Sequence, residues 1–131
     1  MAEKKTILSV DDDTMTLKVI TALLSSDYNL QVSKSAADAV TLMDRRSPDL
    51  ILLDIEMPDI SGFEFLHSIK KNPKFMNIPV VIVSGHCETE FIIHAEHSGA
   101  SGVVAKPIER DDLFKKISYA FENPKRNFPL L

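Results

Sequence analysis

Apolar residues along this chain fall into short runs separated by amphipathic stretches, so that a two-residue and a helical period alternate. Thr6–Val10, Leu50–Leu53, Pro79–Val83 and Gly102–Ala105 are almost continuously apolar, the pattern of strands covered on both faces. Tyr28–Ser33 alternates weakly and reads as a further strand. Between these runs, Thr14–Ser25 repeats Val19, Ile20, Leu23 and Leu24 at helical spacing. Ser35–Arg46 places Ala36, Val40 and Met43 on one face and stops at Ser47-Pro48, while Ser61–Lys71 turns Phe63, Leu66 and Ile69 inward before Asn72-Pro73. Glu88–Ser98 is followed by Gly99, the residue a left-handed helix cap requires. Glu109–Glu122 carries the stripe Leu113, Ile117 and Ala120 beside Phe114 and Phe121. Strand and helix alternate with short connections throughout, which predicts an α/β fold: a doubly wound parallel sheet with helices on both faces. The domain is expected to span residues 1–123, closed by Asn123-Pro124, with 124–131 a C-terminal tail that is mobile or bound elsewhere.

Composition narrows the function classes. A chain of 131 residues with 44% hydrophobic and 26% charged residues is ordinary for one globular domain. A net charge of -4 leaves no basic footprint, so direct nucleic-acid binding is not expected. No stretch approaches a membrane span, and the N-terminus runs straight into an apolar strand-like segment too short for a signal peptide, so a cytoplasmic location is expected. The single cysteine, Cys87, has no partner for a disulfide and reads as a small hydrophobe.

In such a sheet the C-terminal ends of the strands share one edge, where open α/β sheets place their chemistry. The residues ending the strands there are Asp11 and Asp12, Asp54, Ser84, and Lys106 before Pro107. Clustered carboxylates repel one another, increasingly so as water is excluded. A hard dication relieves the repulsion, and Mg²⁺ suits a small oxygen site. A carboxylate beside a cation and a lysine is a plausible nucleophile toward phosphorus. Asp13 is better explained as a helix cap. His94 and His97 are neighbours on a helix face without a third regular ligand, and fit a solvated polar face.

With these residues in place the sequence resembles the receiver domains of two-component response regulators, over Thr6 to about Glu122. The resemblance rests on the acidic pair Asp11-Asp12, the D-x-x-M-P-x-x-x-G run from Asp54 to Gly62, Ser84, and Lys106-Pro107, with Asp54 30 residues before Ser84 and 52 before Lys106. It implies a flavodoxin-like, five-stranded sheet of order 2-1-3-4-5. It implies that Asp54 is the acceptor of a phosphoryl group from a sensor histidine kinase or phosphotransfer protein. Asp12 and Asp54 would ligate Mg²⁺ directly, Asp11 through water, and the backbone carbonyl of Glu56 would add a ligand. Lys106 and Ser84 would bind phosphoryl oxygens, and Pro107 would follow a cis peptide. Met15 and Lys18 would lie on a kinase-docking surface, and phosphorylation would change binding to a downstream protein or output domain. The protein would then be a switch rather than an enzyme acting on a separate substrate.

The sequence departs from the family at one mechanistic position. Many receivers carry Tyr or Phe three residues before the lysine, and here that position is Val103. A valine cannot make the same large rotation. Glu56 and His86 stand two places past the acceptor and past the hydroxyl, where they flank the attack path in the family and influence phosphoryl lifetime. The alternative from another class is a haloacid-dehalogenase-like, Mg²⁺-dependent phosphatase using Asp11-x-Asp13, although Met15 stands where that family wants Thr or Val. A flavodoxin-type cofactor binder would need a phosphate-cradling loop after the first strand, where acids stand instead.

Overall fold

The computed structural model describes residues 3–58 and 60–123; the tail expected at 124–131 lies outside the described residues. The elements in chain order are β1 (Thr6–Val10), α1 (Thr14–Leu24), β2 (Asn29–Ser33), α2 (Ala36–Arg45), β3 (Leu50–Asp54), α3 (Gly62–Lys71), β4 (Val80–Ser84), α4 (Thr89–His97), β5 (Gly102–Ala105) and α5 (Arg110–Glu122). All strand pairings are parallel, and the sheet order is β2-β1-β3-β4-β5. The expected elements are all present, with boundaries shifted by a residue or so.

The two-residue period of each strand divides the core into two layers. Leu8, Val10, Ile51, Leu53, Val80, Ile82 and Val103 point to the side carrying α2, α3 and α4. Ile7, Leu50, Leu52, Val81, Val83 and Val104 point to the side carrying α1 and α5. Continuing the same parity to the last strand residues and just beyond puts Asp11, Asp54 and Lys106 in line with the α1/α5 side, and Ser84 with the other.

Two helices face the sheet differently from the expected stripes. In α2 the buried line is Ala36, Ala39 and Met43, and Val40 stands 41% exposed. The two small alanines let α2 settle closely on the sheet, which turns the bulkier Val40 outward. In α1 the buried line is Leu17, Ile20 and Leu24, leaving Val19 exposed. In α3, Phe65 is buried with Leu66 and Ile69, while Phe63 is only partly buried and faces α4. Cys87 is a free, exposed thiol in the loop after β4.

Gly99 has φ 96° and ends α4 as expected, with Ala100 N–H donating to Ala95 O and Gly99 N–H to Glu96 O. A Cβ there would also lie 3.2 Å from Lys70 Cγ. Lys70 runs under this turn and donates to Ile78 O at 2.8 Å, tying α3 to the approach to β4. Burial holds its pKa below the ordinary lysine value.

Candidate functional site

Asp11 directly follows β1, and its backbone N–H still donates to Ser33 O, extending the pairing with β2 and leaving the residue 1% exposed. Its Oδ1 accepts from Asp13 N–H at 2.9 Å. Its buried Oδ2 has no aligned hydrogen bond, although the Lys106 ammonium lies 3.2 Å away. Asp12 is exposed at the mouth. Asp13 caps α1: its carboxylate accepts from Met15 N–H at 3.0 Å and Thr16 Oγ1 at 2.9 Å, which hold its pKa below the ordinary value. Capping α1 commits that carboxylate to the helix end and weakens the phosphatase alternative, which needs this second acid free to act.

β3 delivers Asp54, 3% exposed, and the loop after it turns sharply. Gly62 N–H donates to Ile55 O at 3.0 Å, and a Cβ on Gly62 would lie 2.8 Å from Asp54 O and collide with the Ile55 backbone. Only glycine lets α3 start this close to the acid. Asp54 Oδ1 accepts from Glu56 N–H at 3.3 Å and lies 3.4 Å from Lys106 Nζ. Lys106 is carried by the turn after β5, where its N–H donates to Ser84 O at 2.9 Å and the Lys106–Pro107 peptide is cis.

One ammonium does not offset two buried carboxylates. Burial, then the charge of Asp11, pushes the Asp54 pKa up to about 6, against the pull of Lys106 and the Glu56 N–H. Burial alone would lower the Lys106 pKa, but Asp11 and Asp54 outweigh it and hold it above the ordinary value. One carboxylate oxygen from each of Asp11, Asp12 and Asp54 falls within 4.8 Å of the others. Clustered hard oxygens, an under-bonded buried Oδ2 and a strained Asp54 together fit a small divalent cation.

Ser84 closes β4, 1% exposed, with its Oγ accepting from His86 N–H at 2.9 Å. The hydroxyl proton is thereby left to donate elsewhere. His86 Nε2 lies 2.7 Å from Glu56 Oε1, so these residues, 30 apart in sequence, meet across the mouth of the site. Val103 is buried at 7% exposure, and its carbonyl accepts from Lys116 Nζ at 3.1 Å. Among the described residues His94 and His97 join no metal-ligand cluster, and the His94 ring sits edge-on to Phe63 at 4.2 Å. Of the expected site residues, then, Asp11, Asp12, Asp54 and Lys106 converge, Glu56 and His86 pair beside them, and Val103 lies inside the core. Sequence reasoning named Glu56 and His86 without indicating that they touch; it missed Lys70 and the rings packed beside His86, which carry no motif.

A five-stranded parallel sheet whose C-terminal edge gathers three carboxylates, a buried hydroxyl and a lysine defines a flavodoxin-like signalling domain. The chain belongs to the response regulator receiver domain family, whose model matches residues 7–118. It is 29% identical over 113 residues to Protein PilH of Pseudomonas aeruginosa, covering 86% of this chain and 93% of that protein. It is 29% identical over 115 residues to the response regulator Rre1 of Synechocystis, covering 86% of this chain but 50% of that protein. Against a Cereibacter sphaeroides protein-glutamate methylesterase/protein-glutamine glutaminase it is 37% identical, over only 30% of that protein. The chain thus spans half or less of several curated relatives it matches. Among solved structures, NtrX of Brucella abortus superposes with a TM-score of 0.84 at 30% identity, covering 93% of this chain and 28% of that one. The chemotaxis response regulator CheY4 of Vibrio cholerae, at 22% identity and TM-score 0.81, covers 88% of this chain and 97% of that chain, and shares the fold. The haloacid-dehalogenase alternative finds no support in these matches.

Proposed function

We propose that Asp54 accepts a phosphoryl group from the phosphohistidine of a sensor histidine kinase or phosphotransfer protein, and that a downstream protein or output domain reads the modified state. The observation that carries this is Lys106 Nζ placed between two buried carboxylates, 3.4 Å from Asp54 and 3.2 Å from Asp11. A carboxylate oxygen of Asp54 attacks phosphorus, the P–N bond to the donor imidazole breaks, and the imidazole nitrogen keeps the electron pair. Lys106 meets the charge of one phosphoryl oxygen, and the Ser84 hydroxyl donates to another. Asp11, Asp12, Asp54 and the Glu56 carbonyl would hold Mg²⁺. That ion, when bound, neutralises charge on the acid cluster and on the incoming phosphoryl oxygens. Water later hydrolyses the acyl phosphate and restores the carboxylate, at a rate set by Glu56 and His86 flanking the approach. The protein catalyses no reaction but its own modification and its reversal.

The donor has a fitting place to dock: Met15, 66% exposed, and Val19 line a groove with Lys106, Pro107 and Ile108 directly beside the site. We place the unit that folds and signals at residues 1–123, acting in the cytoplasm without direct contact to nucleic acid or membrane; among the described residues no helix is long and apolar enough to cross one. The test is acetyl phosphate, or beryllofluoride, with Mg²⁺. Wild type should gain one phosphoryl mass or one bound ¹⁹F species, and Asp54→Asn neither; a signal retained by the variant refutes the assignment.

A further inference from the structure

Val103 offers no ring to rotate, and its strand is pinned through its carbonyl by Lys116. The structure holds another way out of the acceptor site. We propose that the state of Asp54 is relayed to the α3–α4 surface through a chain of packed rings running from His86 through Phe91 and Phe63 to His94. This rests on Asp54 being the phospho-acceptor.

His86 is held by both structures that a phosphoryl group would disturb. Its N–H bonds the Ser84 hydroxyl at 2.9 Å, and its Nε2 lies 2.7 Å from Glu56, whose own N–H bonds Asp54. A phosphoryl group adds about -1.5 to -2 charge and three acceptor oxygens beside these contacts. It draws the Ser84 hydroxyl inward and repels the Glu56 carboxylate, so His86 loses the arrangement that holds it. The His86 and Phe91 ring centroids are 6.1 Å apart, Phe91 and Phe63 5.6 Å, and Phe63 and His94 4.2 Å. Every step lies near or within the range over which aromatic pairs interact. Phe91 and Phe63 are partly buried and packed on the α2–α4 side of the core, so displacing one ring displaces its neighbour.

The far end can respond because α4 is lightly tied down: Ala95 is its one buried residue, against three or four in each of α1, α2, α3 and α5. Its outer face carries Ile93, 48% exposed, with His94 and His97. There the relayed change becomes a surface a partner can distinguish. Coupling along packed side chains needs direct measurement, and four histidines supply the reporters.

In the wild-type protein labelled with ¹³C-histidine, ring signals of His86 and His94 should shift together as beryllofluoride and Mg²⁺ are added, with the same midpoint. His67, on the exposed face of α3, is the internal reference. Occupancy of the site is followed separately by the bound ¹⁹F signal. Phe91→Leu should keep ¹⁹F binding and the His86 shift but reduce the His94 shift to the size seen at His67; Phe91→Tyr should restore it. Full ¹⁹F binding without a His94 shift in wild type, or with an undiminished shift in Phe91→Leu, overturns the relay while leaving Asp54 as acceptor. Loss of ¹⁹F binding in wild type removes the acceptor assignment and the relay with it. Should Phe91→Leu fail to fold, differing midpoints for His86 and His94 in wild type still refute the relay.

Discussion

Asp54→Asn should stabilise the metal-free domain at neutral pH, although it removes the group around which the site is built. The folded pKa of Asp54 is about 6, against an ordinary 3.8. Between those values the folded state binds more protons at this group than the unfolded chain does, so stability falls as pH rises through that window. Above it the cost is complete. The rise from 3.8 to about 6 corresponds to an upper bound of about 3 kcal/mol. Asp54 has almost no accessible surface, yet it sits at the open edge of the sheet under the exposed Asp12 and Glu56. Water screens it there, and about 1–3 kcal/mol is the expected gain. Asparagine matches the shape and carries no charge to desolvate. Urea unfolding of both proteins in EDTA should show the gain in full at pH 7.5. At pH 5 it should be roughly halved, and by pH 4 it should fall to about 0.5 kcal/mol. Contributions from carboxylates remote from the site cancel in the difference. Saturating Mg²⁺ should reverse the order, because it stabilises the protein with the intact ligand set. A variant less stable than wild type in EDTA at pH 7.5, or a gain that does not shrink on acidification, would refute the strained-carboxylate account.

Gly62→Ala should cost about 1–3 kcal/mol despite the better helix propensity of alanine, because the added Cβ meets the Ile55 backbone and Asp54 O; an unchanged urea midpoint would show the loop can yield. Lys106→Ala should unfold cooperatively but bind partners from a pull-down equally with and without beryllofluoride, where wild type differs; persistent dependence in the variant would exclude Lys106 from the switch. Asp11→Ala should weaken Mg²⁺ binding by at least tenfold, or about 1.4 kcal/mol, measured by calorimetry, since it removes a buried negative charge from beside the ion. Glu56→Ala and His86→Ala should each change the decay rate of phosphorylated Asp54, followed as loss of ³²P; unchanged rates in both would leave their contact without a kinetic role.

Legibility in the sequence followed the physics of each element. The buried strands were plain because a strand covered on both faces must be apolar at nearly every position, and β3 and β4 are. The α2 stripe was misjudged because Ala39 and Val40 are adjacent and both apolar; only docking on the sheet settles which one turns inward.

By itself the sequence determined the alternation of strand and helix, and with it which residues end the strands on one edge: Asp11, Asp54, Ser84 and Lys106. Such residues are set by local period and strand length, which are written in consecutive positions. Only the tertiary structure decided that Lys106 bridges two buried carboxylates, that Glu56 meets His86 at 2.7 Å, and that Phe91, Phe63 and His94 pack tilted and edge-on in a line away from the site. Contacts between residues 28 to 95 positions apart depend on strand order, on how each helix rolls on the sheet, and on how far charges are desolvated, and none of these is carried by any one stretch of chain.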